Sequence, residues 1–261
     1  MKKFVAMILA LTMILALAAC GSSKPAETTA AATEAATEAV TEAATEAATE
    51  AATEAATEAE VTVMTHEEFI AADVDTEVTV ETYVQAKQGW WENKATFYTQ
   101  AEDGAYFIYD MPCTEEEYAQ LVEGTKIRVT GFKAEWSGEV EIVDAKFEIL
   151  EGNFVAEPLD VTAMMANEEE LLAHQNEKIA VNGLTVEKIS YKNDEPGDDI
   201  YLTLGLDGAS YEFCVEVYLT GTESEVYKTV GELKEGDMVD VEGFLYWYEG
   251  ANAHITSITV K

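Results

Sequence analysis

The sequence predicts an all-β fold, mainly strands with short helices, built as two tandem five-stranded Greek-key barrels behind a disordered tether. Three observations carry this expectation. Residues 121–145 match residues 233–257 without a gap at Leu121/Leu233, Glu123/Glu235, Gly124/Gly236, Val129/Val241, Gly131/Gly243, Phe132/Phe244 and Gly138/Gly250. Further upstream, residues 65–83 align with 166–184, and Asp-Gly-Ala recurs at Asp103 and Asp207. Finally, a Thr-Glu-Ala-Ala repeat ends near residue 60, where alternating apolar residues begin. The chain therefore divides into residues 1–19, 20–60, a first domain at 61–152 and a second at 159–261.

Each copy reads in the same order. A short helix is expected after Thr65, with Glu68 three residues on, and after Asn167, with Glu170; both are capping-box patterns. A long strand follows, with Val78, Val80, Thr82 and Val84 alternating in the first copy and Ile179, Val181 and Gly183 in the second. Two more strands are expected at 95–100 and 105–109, and at 200–206 and 210–219. Another helix is expected after Thr114 or Thr222, closed by Leu-x-Glu-Gly with Gly124 or Gly236 at the left-handed C′ position. Two last strands complete each copy, and Gly131 and Gly243 mark a bulge or bend within them. Thr82 stands where the second copy has Gly183, so the first strands are expected to bend by different devices.

Three strands, a helix and two strands, in about 90 residues, is the order of the OB-fold, a small Greek-key barrel with a strongly bent first strand. The region after residue 60 resembles uncharacterised bacterial lipoproteins with tandem OB-fold domains. That resemblance implies a fold and implies no chemistry.

The N-terminus points the same way. Lys2 and Lys3 precede an apolar run from Phe4 to Leu17 that ends in Leu-Ala-Ala-Cys, the layout of a secretory signal peptide. The segment resembles a lipobox. It implies cleavage after Ala19, acylation of Cys20 and anchoring at the extracytoplasmic face of a membrane. From Glu34 to Glu58 a Glu stands at every fourth residue, so like charges would meet at i,i+4 on a helix. An extended tether is expected, spanning roughly 35 Å as a flexible coil and more under its own repulsion. Its Thr content also makes it a compositional candidate for O-glycosylation.

The chain carries 15 Lys and Arg against 51 Asp and Glu, a formal net charge of −36. Arg128 is its one Arg. Phosphate backbones are repelled by such a chain, so nucleic acid is not expected as a partner. Cys113 and Cys214 are too few for a disulfide framework, and a bond between them would have to join the two domains. Cys214 shares a strand face with Glu212 and Glu216, which argues against deep burial.

OB-folds bind through one barrel face and the loops joining strands 1–2 and 4–5. All four Trp residues fall in or beside those loops: Trp90 and Trp91, then Trp136, in the first copy, and Trp247 between Tyr246 and Tyr248 in the second. Flat aromatic faces stack on sugar rings or peptide side chains, so these six residues are the candidate ligand platform. A carbohydrate or cell-envelope polymer is the expected ligand. The alternative is a structural or docking role toward a protein partner. The acidic turn at 193–199 concentrates oxygen ligands, which makes Asp194, Glu195, Asp198 and Asp199 weak candidates for calcium. Catalysis finds little support. His66, His174 and His254 lack metal-ligand spacing, and no nucleophile motif or phosphate loop is present.

Overall fold

The computed structural model describes residues 62–261. The expected signal peptide, the expected acylation site Cys20 and the expected tether lie outside the described residues. In the first copy, α1 (His66–Ala71) precedes β1 (Glu77–Lys87), β2 (Lys94–Ala101) and β3 (Gly104–Pro112), and α2 (Glu115–Gln120) leads to β4 (Thr125–Trp136) and β5 (Glu139–Asn153). These strands close in the order β1-β2-β3-β5-β4, with β4 returning to β1. The second copy starts with a short β6 (Leu159–Asp160) and α3 (Glu168–Leu172). It continues through β7 (Lys178–Tyr191), β8 (Ile200–Leu206), β9 (Ala209–Val215), α4 (Val217–Thr220), α5 (Glu225–Glu232), β10 (Met238–Phe244) and β11 (Ala253–Val260). Pairing of β10 with β7 closes the same ring. Both copies are OB-fold barrels.

Local chemistry explains the boundaries. Thr65 and Thr114 each accept a hydrogen bond from the backbone N–H of the Glu three residues on, whose carboxylate returns to the Thr N–H. These are complete capping boxes, each worth about 1 kcal/mol of helix stability. The helix expected after Thr222 is instead capped by Ser224, whose hydroxyl accepts from Tyr227 N. The two Leu-x-Glu-Gly glycines are not C′ residues. The helices stop at Leu121 and Leu233, and Gly124 and Gly236 form left-handed turns three residues later. From there each donates its N–H to the first strand of its own barrel, to Val84 O and to Val186 O.

Gly131 and Gly243 sit where the strand register slips. A Cβ on Gly243 would lie 2.1 Å from the His254 carbonyl oxygen, and one on Gly131 would lie 2.7 Å from Val143 O. Both positions need glycine because two backbones meet there. The first strands do bend differently. β7 bulges at Asn182 and Gly183, whose N–H donates to Asp240 Oδ1 at 2.8 Å, whereas β1 runs unbroken against β4 from Glu77 to Tyr83 with Thr82 buried.

Each barrel has its own core. Val80, Phe97, Ile108, Ile127, Val129 and Ile142 fill the first, and Val181, Leu202, Leu204, Phe213, Val215 and Val239 fill the second. A third apolar cluster joins them: Tyr98 and Phe107 from the first barrel pack on Phe244 of the second. Tyr98 stacks on Phe244 with ring centroids 4.5 Å apart, and its hydroxyl pairs with His254 Nδ1 at 2.7 Å in a fully buried contact. The barrels belong to one compact unit. The expectation for Cys214 is reversed: it is buried, between the core residues Phe213 and Val215, where β9 pairs with β11. Cys113 and Cys214 are both buried free thiols.

Candidate aromatic cleft between the barrels

The β1–β2 loop of the first copy ends in a tight turn. Trp91 and Lys94 exchange backbone hydrogen bonds of 3.0 Å around Glu92 and Asn93, both at positive φ. Polar residues tolerate that conformation, and the turn holds the Trp91 indole outward, 68 % exposed. Just before it, Gly89 N–H donates to Tyr218 O at 2.7 Å and Gln88 Nε2 donates to Glu216 Oε2 at 2.8 Å. The loop is thus fastened to the start of α4 in the other barrel.

That junction opens into a cleft of roughly 580 Å³. Trp91, Tyr109, Trp136, Tyr218 and Tyr246 supply its aromatic lining, with Glu141, Glu216 and His254 among the polar groups. Tyr218 is 65 % exposed and Trp136 is 54 % exposed. Tyr246 stacks on His254 at 4.3 Å, and Tyr248 packs beside Trp136 at 5.1 Å. Lys94 and Asp110 face each other across the rim at 2.6 Å. Burial pushes the Glu216 carboxyl up to about 7 and raises that of Glu141. It also lowers His254 to about 3, so this imidazole is neutral at physiological pH.

Of the six platform residues expected from sequence, Trp91, Trp136 and Tyr246 line the cleft and Tyr248 flanks it. Trp90 and Trp247 do not. The Trp90 indole packs on the first core and donates Nε1–H to Cys113 O at 2.9 Å. Trp247 is 5 % exposed, with its ring in the second core. Alternation along a short loop turns one member of each aromatic run inward, which is the physical reason for the division. Tyr109, Glu141, Glu216 and Tyr218 were missed. The alternating pattern at 210–219 reads as one strand, but β9 ends at Val215 and α4 carries Tyr218. The signal was Gly221, which ends that turn at positive φ.

The acidic turn is occupied by its own partners. Asp199 accepts from Lys192 Nζ at 3.0 Å and from Val217 N at 2.9 Å, and Asp198 accepts from Asn193 Nδ2 and Asp199 N. Asp194 and Glu195 are exposed. Among the described residues no group of three or more His, Cys, Asp or Glu is arranged to hold a metal, and no helix is long and apolar enough to cross a membrane.

No family model matches the chain, and no curated protein matches it. Solved structures similar to it include asparaginyl-tRNA synthetase from Pyrococcus horikoshii, at 20% identity and a TM-score of 0.27 over 32% of this chain. The chain spans only 19% of that enzyme's length. A murine DNA binding protein bound with ds DNA aligns over 70% of this chain and 94% of its own, at 13% identity and a TM-score of 0.34. A Replication Protein A heterotrimer bound to ssDNA aligns over 71% and 49%, at 12% identity and a TM-score of 0.31. The exclusion of nucleic acid drawn from net charge is corrected by these similarities, since similar structures include two solved with DNA, and it is withdrawn.

Proposed function

We propose that this chain is a non-catalytic binding module that engages a carbohydrate or cell-envelope polymer in the cleft between its barrels. One observation carries the reading: four aromatic side chains exposed to solvent, Trp91, Tyr109, Trp136 and Tyr218, converge on a single cleft instead of scattering over the surface. Exposed apolar surface gathered in one concave place marks a binding site. Flat rings beside carboxylates and a Gln suit sugars, whose faces are apolar and whose edges carry hydroxyls. The Leu-Ala-Ala-Cys segment supports an extracytoplasmic address, with acyl chains on Cys20 as the membrane anchor and residues 20–60 as a stalk. Incorporation of labelled palmitate that a Cys20→Ala variant abolishes is the expected result for the anchor.

The binding test is a glycan array and a peptidoglycan pull-down with the full chain and with a Trp91→Ala, Trp136→Ala variant. Retention by the native chain and its loss in the folded variant is the expected result. Failure of the folded native chain to bind either material would overturn the reading and favour a protein-docking role.

A further inference from the structure

Resting on the carbohydrate reading, we infer that the cleft selects a sugar bearing free, protonated amines, with its ammonium groups paired to the carboxylates of Glu141 and Glu216 and a ring stacked on Trp91 or Trp136. The argument is a charge inventory of the cleft. Three carboxylates line it, those of Asp110, Glu141 and Glu216, and the only Lys or Arg among the lining residues is Lys94. Lys94 is already paired with Asp110. His254 adds no charge: its ring is buried and its Nδ1 pairs with the Tyr98 hydroxyl. Glu216 uses Oε2 toward Gln88, a neutral donor, with His254 Nδ1 at 3.5 Å. Glu141 makes no ion pair among the described residues and is half-buried.

Two carboxylates therefore face an aromatic cleft with no cation paired to them; the nearest positive charge acting on Glu216 is Lys192, which is engaged by Asp198 and Asp199. Water fills that need while the cleft is open. A bound ring displaces the water, and ionised carboxylates left beside it are costly unless the ligand brings its own positive charge. An ammonium group meets that need and is also attracted to the faces of Trp and Tyr. A hydroxyl or an acetylated amine supplies hydrogen bonds but no charge. Burial raises the affinity of both carboxyls for a proton, which is the same demand for positive charge met by the smallest available cation.

The test compares a glucosamine hexamer with an N-acetylglucosamine hexamer by calorimetric titration of the full chain at about pH 7. The two probes differ only in whether each amine is free. Because hydrogen bonds to charged groups outweigh neutral ones, the free-amine oligomer is expected to bind about tenfold tighter or more. A Glu141→Gln, Glu216→Gln variant is expected to narrow that ratio to within about threefold, and Glu141→Gln alone to narrow it partway. Equal affinity of the native chain for both hexamers would overturn the inference and leave the carbohydrate reading standing. A preference that survives in the double variant would overturn the assignment to these carboxylates. No heat from either hexamer, with the chain showing native ellipticity, would overturn the inference together with the reading beneath it.

Discussion

Glu139 is fully buried at the junction of the barrels. Its Oε2 accepts hydrogen bonds from Trp247 N at 2.9 Å and Gln175 Nε2 at 3.3 Å, both donated by the second copy. Its Oε1 is buried without a partner, and so is Oδ1 of Asn176, another neighbour of the carboxyl. An ionised carboxylate with an unpartnered oxygen is costly in such a place, and a proton on the group removes that cost. Burial accordingly pushes this carboxyl up from an ordinary 4.5 to about 8. Between those values the unfolded chain has released the proton and the folded chain keeps it. The unfolded state then binds fewer protons, so stability falls as pH rises through the window and levels off above it. At about 1.4 kcal/mol per pH unit the full loss is on the order of 4–5 kcal/mol. Glu139→Gln keeps the shape, accepts from Trp247 N, and carries an N–H where the acid carries its proton. Urea unfolding of both proteins at pH 5, 7 and 9 should show similar midpoints at pH 5. The variant should gain steadily above it, reaching about 3–5 kcal/mol over the native chain at pH 9. Stability curves that stay parallel from pH 5 to 9 would refute the reasoning.

Two other expectations can be checked quickly. Gly243→Ala puts a methyl group against the His254 carbonyl and should cost about 3 kcal/mol or more in urea unfolding, because the neighbour is backbone and cannot swing aside; an unchanged midpoint would contradict it. Acrylamide should quench the native chain's indole emission strongly through Trp91 and Trp136, and a Trp91→Phe, Trp136→Phe variant should emit at shorter wavelength and resist quenching, since Trp247 is buried and Trp90 is packed on the first core.

Much of the fold was legible in the sequence because it is local and written twice. The Thr65 and Thr114 caps, the strand order, and glycine at residues 131 and 243 all answer to chemistry within a few residues or to a repeated pattern. The junction was not legible. Alternation assigns one face of a strand to the core, so it has no way to mark Phe213, Cys214 and Val215, three consecutive residues that are all buried. An acidic residue in an acidic chain reads as surface, which hid Glu139. The binding loops were legible as places rich in aromatics. Which rings face outward depends on the turn at Glu92–Asn93 and on a partner barrel that no single copy foretells.

Within each ring the shortest pairing is a parallel join of two residue pairs: Phe107 with Glu141 and Ile108 with Ile142 in the first, Ala253 with Phe213 and His254 with Cys214 in the second. Phe107, Glu141 and His254 also line the cleft between the copies. The two short joins therefore border the same cleft, one from each copy. Cutting the chain at residue 156 would expose Tyr98, Phe107 and Phe244 to water and divide the lining of the cleft between two molecules.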